Sequence, residues 1–506
     1  MIQDAPKIIL GPIIGKVTNI TARISIELDS SSEVTCILTT ENGKQIKNIR
    51  QPEKGFPTLF KFTGLEPETL YKVSIENGPV IDSQFRTLRN EGDKPGKLEF
   101  AVISCNEAIS ARSQPPEKDL WKHLSETVNS LDYIFHIGDQ CYMDIGNDSS
   151  HKTVYQVCKE KLEAMDPSLR DLKNLINPEI PEIIDVLETL RAHYRLTWSH
   201  PPTAYVLSHV PNIMSLDDHE IRDDWGWREE DYDPKTPKID YFYGQIARRV
   251  YYEYQRQLRD DIDWANLEAL KCEYHDHILN GVGIAFVDYR GSRSWFREEK
   301  VKELQLGLAQ TEWVKSLFAP QGSFENASSV LFISPIPIVM FCHILTAIAS
   351  IKIDDAKEHW SYKNTKELKE LLDILRGWKE HKGNREITLI GGDVHIGGYT
   401  EVFYKKKPLF KQFTTSTINN DKIQTKLEFV VVKFFQNLKG KIESDYSYKH
   451  YDWTRENNYG LMKTGNKNGE PYVEYKLVQK SKNGIIVDNP RNNIKWDTNS
   501  GWCNIF

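Results

Sequence analysis

Four short apolar runs in this chain end on residue types that bind metal ions. FAVIS (100–104) runs into Cys105-Asn106, and YIFHIG (133–138) into Asp139, with Tyr142 three residues on. NIMSL (212–216) runs into Asp217-Asp218-His219-Glu220, and ITLIGG (387–392) into Asp393 with His395 two on. A buried strand that stops on an ionised carboxylate needs a partner for that charge, so Asp139 raises the question most sharply. Thiolate, phenolate, imidazole and several carboxylates together suit a mixed site. One ion would be transition-metal-like, held by Cys and Tyr, with harder, oxygen-bound neighbours. Each residue alone has a plainer reading. Cys105 reads as a small buried hydrophobe, Tyr142 as a half-buried aromatic and His395 as a core histidine. Asp217 or Asp218 could cap a helix starting at HEIRDD (219–224). The recurrence at four strand ends is what favours a metal site.

The elements that must position these groups are legible in outline. FAVIS, YIFHIG, NIMSL, IAFVDY, VLFIS and ITLIGG read as strands of a covered sheet. Between them Tyr243, Ile246, Val250, Tyr251, Tyr254 and Leu258 recur at helical spacing, as do the apolar residues of TKELKELLDILRGW (365–378). Strands alternating with helices predict an α/β layered sheet domain, whose carboxyl strand ends line a ligand crevice. A small all-β sandwich of fibronectin III or immunoglobulin type precedes it, over residues 1–90. Short alternating runs carry it, and Gly64 to Val73 resembles a tyrosine corner. The polar stretch NEGDKPGK (90–97) marks the boundary. The α/β domain then takes residues 97–506, with a C-terminal extension from about 425 built on KLEFVVVKFF and VEYKLVQ.

Bulk properties exclude several classes. The chain has 506 residues, too many for one ordinary core. A net charge of −7 without a basic tail gives no sign of a nucleic-acid surface. Seven scattered cysteines without a CxxC pair argue against a disulfide framework or a zinc ribbon. MIQDAPKIILGPIIG shows no export signal, so the cytoplasm is the expected compartment. Residues 330–353 are apolar and long enough to span a bilayer, but Pro335, Pro337 and His343 weigh against it. A core strand with a buried loop or helix is expected there.

Taken together, Ser104-Cys105-Asn106, Gly138-Asp139 with Tyr142, Leu216 to Glu220, and Gly392 to His395 resemble the successive motifs of the PhoD-like (alkaline phosphatase D) metallophosphatases. Asp288-Tyr289-Arg290 with Arg293, and Leu306-Gly307 with Gln310 and Trp313, agree with it. The resemblance implies a binuclear or trinuclear site of iron and calcium, with magnesium, manganese or zinc as other divalent choices. It implies that Cys105, Asp139, Tyr142 and His395 surround the iron. Asp139 would bridge to calcium, with Asp218 and Asp393 on that side, and Asp217 joins the candidate ligands. It also implies that His219 is the general acid of a phosphohydrolase, acting on phosphomonoesters, phosphodiesters or both through metal-activated hydroxide. Arg290 and Arg293 could neutralise phosphate oxygens, or pair with Asp288 or a neighbouring acid. Asp223 and Asp224 are expected as solvated helix residues. The Asp-x-His of the broader calcineurin-like superfamily is absent, with Cys105 in its region. Alternatives are a strict phosphodiesterase for lipid or nucleotide substrates, or a binding protein whose metal domain is inactive.

Overall fold

The structure is a computed structural model. It describes the chain except residues 1–5, 91–96, 108–111, 146–151, 177, 232–237, 268–271, 294–303, 341–345, 347–359, 361–363, 421–439, 482–485, 489–493, 498–503 and 506. The expected boundary at 90–97 and the run KLEFVVVKFF therefore lie largely outside the described residues.

Residues 8–86 form two antiparallel sheets. One orders β1 (Ile8–Val17), β2 (Thr21–Leu28) and β5 (Pro57–Thr63). The other orders β4 (Gln45–Arg50), β3 (Val34–Thr40), β6 (Leu70–Ile75) and β7 (Gln84–Arg86). Alternate residues such as Ile24, Ile26, Leu38, Phe60 and Val73 point inward and make a shared core. The tyrosine corner forms as its sequence suggests. Tyr71 is fully buried, and its hydroxyl accepts the Glu66 N–H at 2.8 Å.

The remaining strands make two eight-stranded sheets, where the sequence suggested a single one. The first contains β8 (Lys97–Ile103), β9 (Tyr133–Ile137), β10 (Asn212–Ser215), β19 (Asn458–Lys467), β20 (Glu470–Lys480), β21 (Ile486–Asp488), β22 (Ile494–Asp497) and β23 (Asn504–Ile505). Its order is β10-β9-β8-β19-β20-β22-β23, with β21 also on β20. The second contains β11 (His275–Leu279), β12 (Val282–Phe286), β13 (Ser329–Ser334), β14 (Glu386–Gly391), β15 (Gly397–Tyr404), β16 (Lys407–Thr414), β17 (Gly440–Ile442) and β18 (Tyr446–Thr454). Its order is β11-β12-β13-β14-β16-β15-β18-β17. Phe100, Phe135, Ile284, Ile333, Ile390 and Phe413 interlock between the two sheets. Strands covered on both faces read as continuous apolar runs, so the sequence pattern does not say how many sheets share them. The tail contributes directly: β19 lies antiparallel against β8, which would otherwise be an open edge.

Helices cover the outer faces. α1 (Leu120–Ser125) and α4 (Pro201–His209) pack Leu120, Trp121 and Val206 on the first sheet. α2 (Val154–Ala164), α3 (Pro181–Trp198) and α5 (Ile239–Tyr254) form a bundle beside it around Leu162, Leu190 and Val250. α6 (Gly307–Phe318) and α7 (Thr365–His381) cover the second sheet, α7 presenting Leu368, Leu371, Leu372, Leu375 and Trp378. The helical spacing at 243–254 is met by α5, and Leu258 falls in a short 3-10 turn.

Two local expectations come out differently or in part. HEIRDD is a chain of turns, not a helix, because Asp224 and Gly226 adopt left-handed φ of +57° and +87°. Neither Asp217 nor Asp218 caps a helix, and Asp223 and Asp224 are turn residues. Of residues 330–353, the first part is β13 followed by a buried turn to Met340, while most of the rest lies outside the described residues. Among the described residues no helix is long and apolar enough to cross a membrane. The five described cysteines, Cys36, Cys105, Cys141, Cys158 and Cys272, are free thiols.

Candidate metal centre

β8, β9 and β10 run parallel, as do β12, β13, β14 and β16, so the chain leaves each group at its carboxyl edge. The residue types singled out in the sequence sit at those exits. Cys105, Asp139, Asp393 and His395 all have left-handed backbone, with φ of +53°, +57°, +58° and +51°. Side-chain-bearing residues held there cost about 1–3 kcal/mol each, and such strain gathers at functional sites. Gly138 makes the crossing at β9 feasible: its φ is +101°, and a Cβ there would lie 2.5 Å from the Asp217 Cβ.

The exits converge. Ligand atoms of Asp139, Asp217, Asp218 and Asp393 all lie within 4.8 Å of one another, and those of Asp139, Asp218 and His219 do the same. The Cys105 Sγ is 3.5 Å from the Asp139 Oδ2, and the Tyr142 hydroxyl is 3.3 Å from that same oxygen. The Tyr142 hydroxyl is also 3.5 Å from the His395 Nε2. Every metal ligand expected from the sequence is therefore part of one cluster, and Cys105, Asp139, Tyr142, Asp217 and Asp218 are buried.

Charge tests whether cations fit. Burial pushes the Asp139 carboxyl well above its ordinary range; His219 opposes this, and Cys105, Asp217 and Asp218 reinforce it. Burial, with Asp393 nearby, pushes the Cys105 thiol up to about 12. Tyr142 is raised well above the ordinary phenol range by burial, then by Asp139 and Cys105. Asp218 is the exception: burial raises it, but Arg290 and His219 outweigh that and leave it low. Burial and neighbouring acids thus work against ionising Asp139, Cys105 and Tyr142. Arg290 and His219 offset part of the charge of four carboxylates, and ionising the thiol and phenol beside them calls for further positive charge. The donor set fits metal ions.

His219 stands at the rim of the cluster. Its Nδ1 is 2.8 Å from the Asp144 Oδ1, its ring lies on Tyr142 with centroids 4.1 Å apart, and its Nε2 is 3.9 Å from the largely exposed Asp223. Burial works against charge on this imidazole, but Asp218, Asp144 and Asp139 outweigh it and hold its pKa well above the ordinary value.

The two arginines are placed apart from each other's tasks. Arg290 is buried, with Nε 2.5 Å from the Asp217 Oδ1 and Nη2 3.1 Å from the Asp218 Oδ1. Of the two readings open for it, pairing with a neighbouring acid is what the structure displays, and the acids are Asp217 and Asp218 rather than Asp288. Asp288 instead shapes the turn, accepting the N–H groups of Arg290 at 2.8 Å and Gly291 at 2.7 Å. Gln310 clamps the Asp288 backbone on both sides, which accounts for that part of the motif. Arg293 is buried, donates to the Gln305 Oε1 at 2.9 Å and lies over the Trp227 ring at 4.9 Å.

Sequence reasoning missed three contributors, and of Glu220, which it placed at the β10 exit, it missed the role. Asp144 orients His219, and Glu220 accepts backbone N–H groups beneath the cluster. Ser416 lies 3.2 Å from the Cys105 Sγ and accepts the His395 N–H at 3.0 Å. Asn419 bridges to Asn106 and accepts the Glu107 N–H on its carbonyl at 2.7 Å. A signal for the last two exists. Thr-Thr-Ser-Thr-Ile-Asn-Asn (414–420) follows the apolar end of β16, a further polar strand exit of the same kind.

Comparisons with known proteins come to the same place. The chain aligns with the solved structure of PhoD over 98% of its own length and 91% of that chain, at TM-score 0.69 and 13% identity, which establishes a shared fold. A solved β-glucuronidase from Ruminococcus gnavus aligns over 75% of this chain and 54% of its own, at 12% identity and TM-score 0.24, and carries no weight. No curated protein matches. The family model described as PhoD-like phosphatase matches residues 100–474, a span that holds the whole cluster from Cys105 to Ser416. With that model matching well over half of its length, the chain belongs to the PhoD-like phosphatase family, whose members are metal-dependent phosphohydrolases.

Proposed function

We propose that the chain hydrolyses phosphomonoesters, phosphodiesters or both at this centre. Cys105, Asp139, Tyr142 and His395 would hold iron. Asp139, Asp217, Asp218 and Asp393 would hold calcium, and magnesium, manganese or zinc suit the same oxygen ligands. The observation that carries this reading is the pooling of four acidic strand ends within 4.8 Å beside a thiol and a phenol. When bound, such cations acidify water and offset charge on the phosphoryl oxygens. Every other task falls to side chains.

His219 supplies the proton that a departing alkoxide needs. Asp144 takes its Nδ1–H, which fixes the ring and leaves Nε2 as the outward donor. Arg290 works behind the carboxylates, setting the orientation of Asp217 and Asp218. Arg293 supports Trp227 at the same edge rather than presenting a free guanidinium. The pairing of His219 with Asp144 favours an active enzyme over an inactive metal domain, which has no use for an oriented donor. Hydrolysis of mono- and bis-(p-nitrophenyl) phosphate by the purified protein, under several added metals, tests the reading. Turnover of either ester supports it; turnover of the diester alone selects the strict phosphodiesterase; turnover of neither contradicts it.

A further inference from the structure

Glu220 closes the sequence motif Asp217-Asp218-His219-Glu220, yet its side chain points away from the cluster. It is fully buried. Its Oε2 accepts the backbone N–H of Asp139 at 3.1 Å and that of Asp217 at 3.0 Å. Its Oε1 accepts the backbone N–H of Gln140 at 2.6 Å and the Gln255 side-chain N–H at 3.1 Å. A carboxylate offers about four lone-pair directions, and here all are taken.

These four donors come from three different elements. Asp139 and Gln140 are the exit of β9, Asp217 is the exit of β10, and Gln255 directly follows α5. The Asp139 backbone is left-handed, which turns its N–H and the next one inward, off the sheet ladder. Buried N–H groups in that position need an acceptor, and Glu220 is that acceptor. The carboxylates of Asp139 and Asp217 are carried by the same two residues, so the position of one buried carboxyl group sets the spacing of two candidate ligands.

We infer that Glu220 is the positioning residue of the metal centre: it fixes the β9 and β10 exits through their backbone N–H groups, so that Asp139 and Asp217 are aligned before any cation arrives. The inference rests on the metal-centre reading above. Replacement by Gln keeps size and one oxygen but turns an NH₂ group towards backbone donors, so one pair of bonds is lost.

The test is manganese binding alone, measured by calorimetry on chelator-stripped full-length protein, beside the melting temperature of the same metal-free sample. Glu220→Gln should bind manganese about 10–100-fold more weakly, the range for residues that orient ligands, and the lost buried bonds should lower the metal-free melting temperature while the protein stays folded at the assay temperature. Gln255→Met removes one of the four bonds and leaves the carboxylate in place. It should weaken binding by a few-fold, and it serves where Glu220→Gln fails to fold. Unchanged manganese affinity in whichever variant folds, with or without a fall in melting temperature, overturns the inference. Wild-type protein that binds no manganese would instead count against the metal centre itself.

Discussion

His219 touches one carboxylate firmly, and that contact decides what it can do. With Nδ1 committed to Asp144, its other nitrogen faces the rim. A general acid is worth about 10²–10⁴-fold when the leaving group needs a proton, and little when it does not. His219→Ala should therefore barely slow p-nitrophenyl esters and slow alkyl phosphates by about that factor; equal losses with metal content retained would remove it as the acid. Glu220 cannot replace it, since its oxygens are occupied by N–H groups beneath the cluster. Asp144→Asn removes one of the carboxylates that hold the His219 pKa up. The protonated fraction is then lost at lower pH, so the alkaline limb of the alkyl-phosphate profile should move down; an unmoved limb would separate Asp144 from the proton donor. Cys105 and Tyr142 lend a spectroscopic check. If they hold oxidised iron, a visible charge-transfer band should be present, and it should vanish in Tyr142→Phe combined with Cys105→Ser. The residues of the cluster were legible because they end apolar runs or follow such an end within three residues. Asp144 was not, and neither was the task of Glu220, because their roles exist only once distant strand exits meet.

Strand exits are the unit in which this site is written. A buried run that ends on Cys, Asp or Asp-x-His breaks the usual turn chemistry of Gly, Ser and Pro, and that anomaly survives in the sequence. The same rule applied to β16 would have found Ser416 and Asn419, since parallel pairing with β14 brings its exit to the same edge. Helix HEIRDD failed as an expectation because apolar and acidic residues suggested a start while left-handed turns at Asp224 and Gly226 prevented it. Strand β11 carries a different pattern, His275-Asp276-His277, which places both imidazoles on one face with His275 Nδ1 and His277 Nε2 2.9 Å apart. Burial first, then neighbouring Arg259 and Lys16, push both rings well below the ordinary imidazole range. Unfolded chain takes up protons there below about pH 6.5, and folded chain does not. Stability must then fall as pH drops below that value, by up to about 1.4 kcal/mol per pH unit for each ring. His275→Gln with His277→Gln should lose less melting temperature between about pH 7 and about pH 5 than wild type; an equal loss would show the pair is not what titrates.

At the scale of the whole molecule, the small sandwich is tied into the catalytic sheets by buried groups. Tyr133 of β9 engages the Val17 backbone, accepting its N–H at 2.9 Å and donating to its carbonyl, and the Asn212 amide donates to the Ile14 carbonyl at 2.9 Å. Glu27 of β2 is buried against Arg195 at 2.6 Å and the Tyr254 hydroxyl at 2.8 Å. Removing Glu27 takes a buried acceptor from Arg195 and Tyr254, while Arg195 keeps Glu188 at 3.2 Å, so Glu27→Ala should destabilise the protein by about 1–3 kcal/mol in chemical denaturation. A change within error would make the sandwich an independent module. The sequence made the sandwich and the alternating strands and helices visible. It did not reveal that β8–β10 and β12–β14 belong to two sheets, or that β19 from the tail enters the first, because pairing between distant strands leaves no local periodicity. Those two sheets matter to function through one consequence: they aim their carboxyl edges at a common point, where buried acids need cations. Metal analysis of the purified protein, paired with phosphate-ester hydrolysis before and after strong chelation, tests that claim most directly. Iron with a harder divalent ion such as calcium, and hydrolysis that disappears on chelation and returns with metal, is the expected result. Full hydrolysis by protein shown to be metal-free would contradict it.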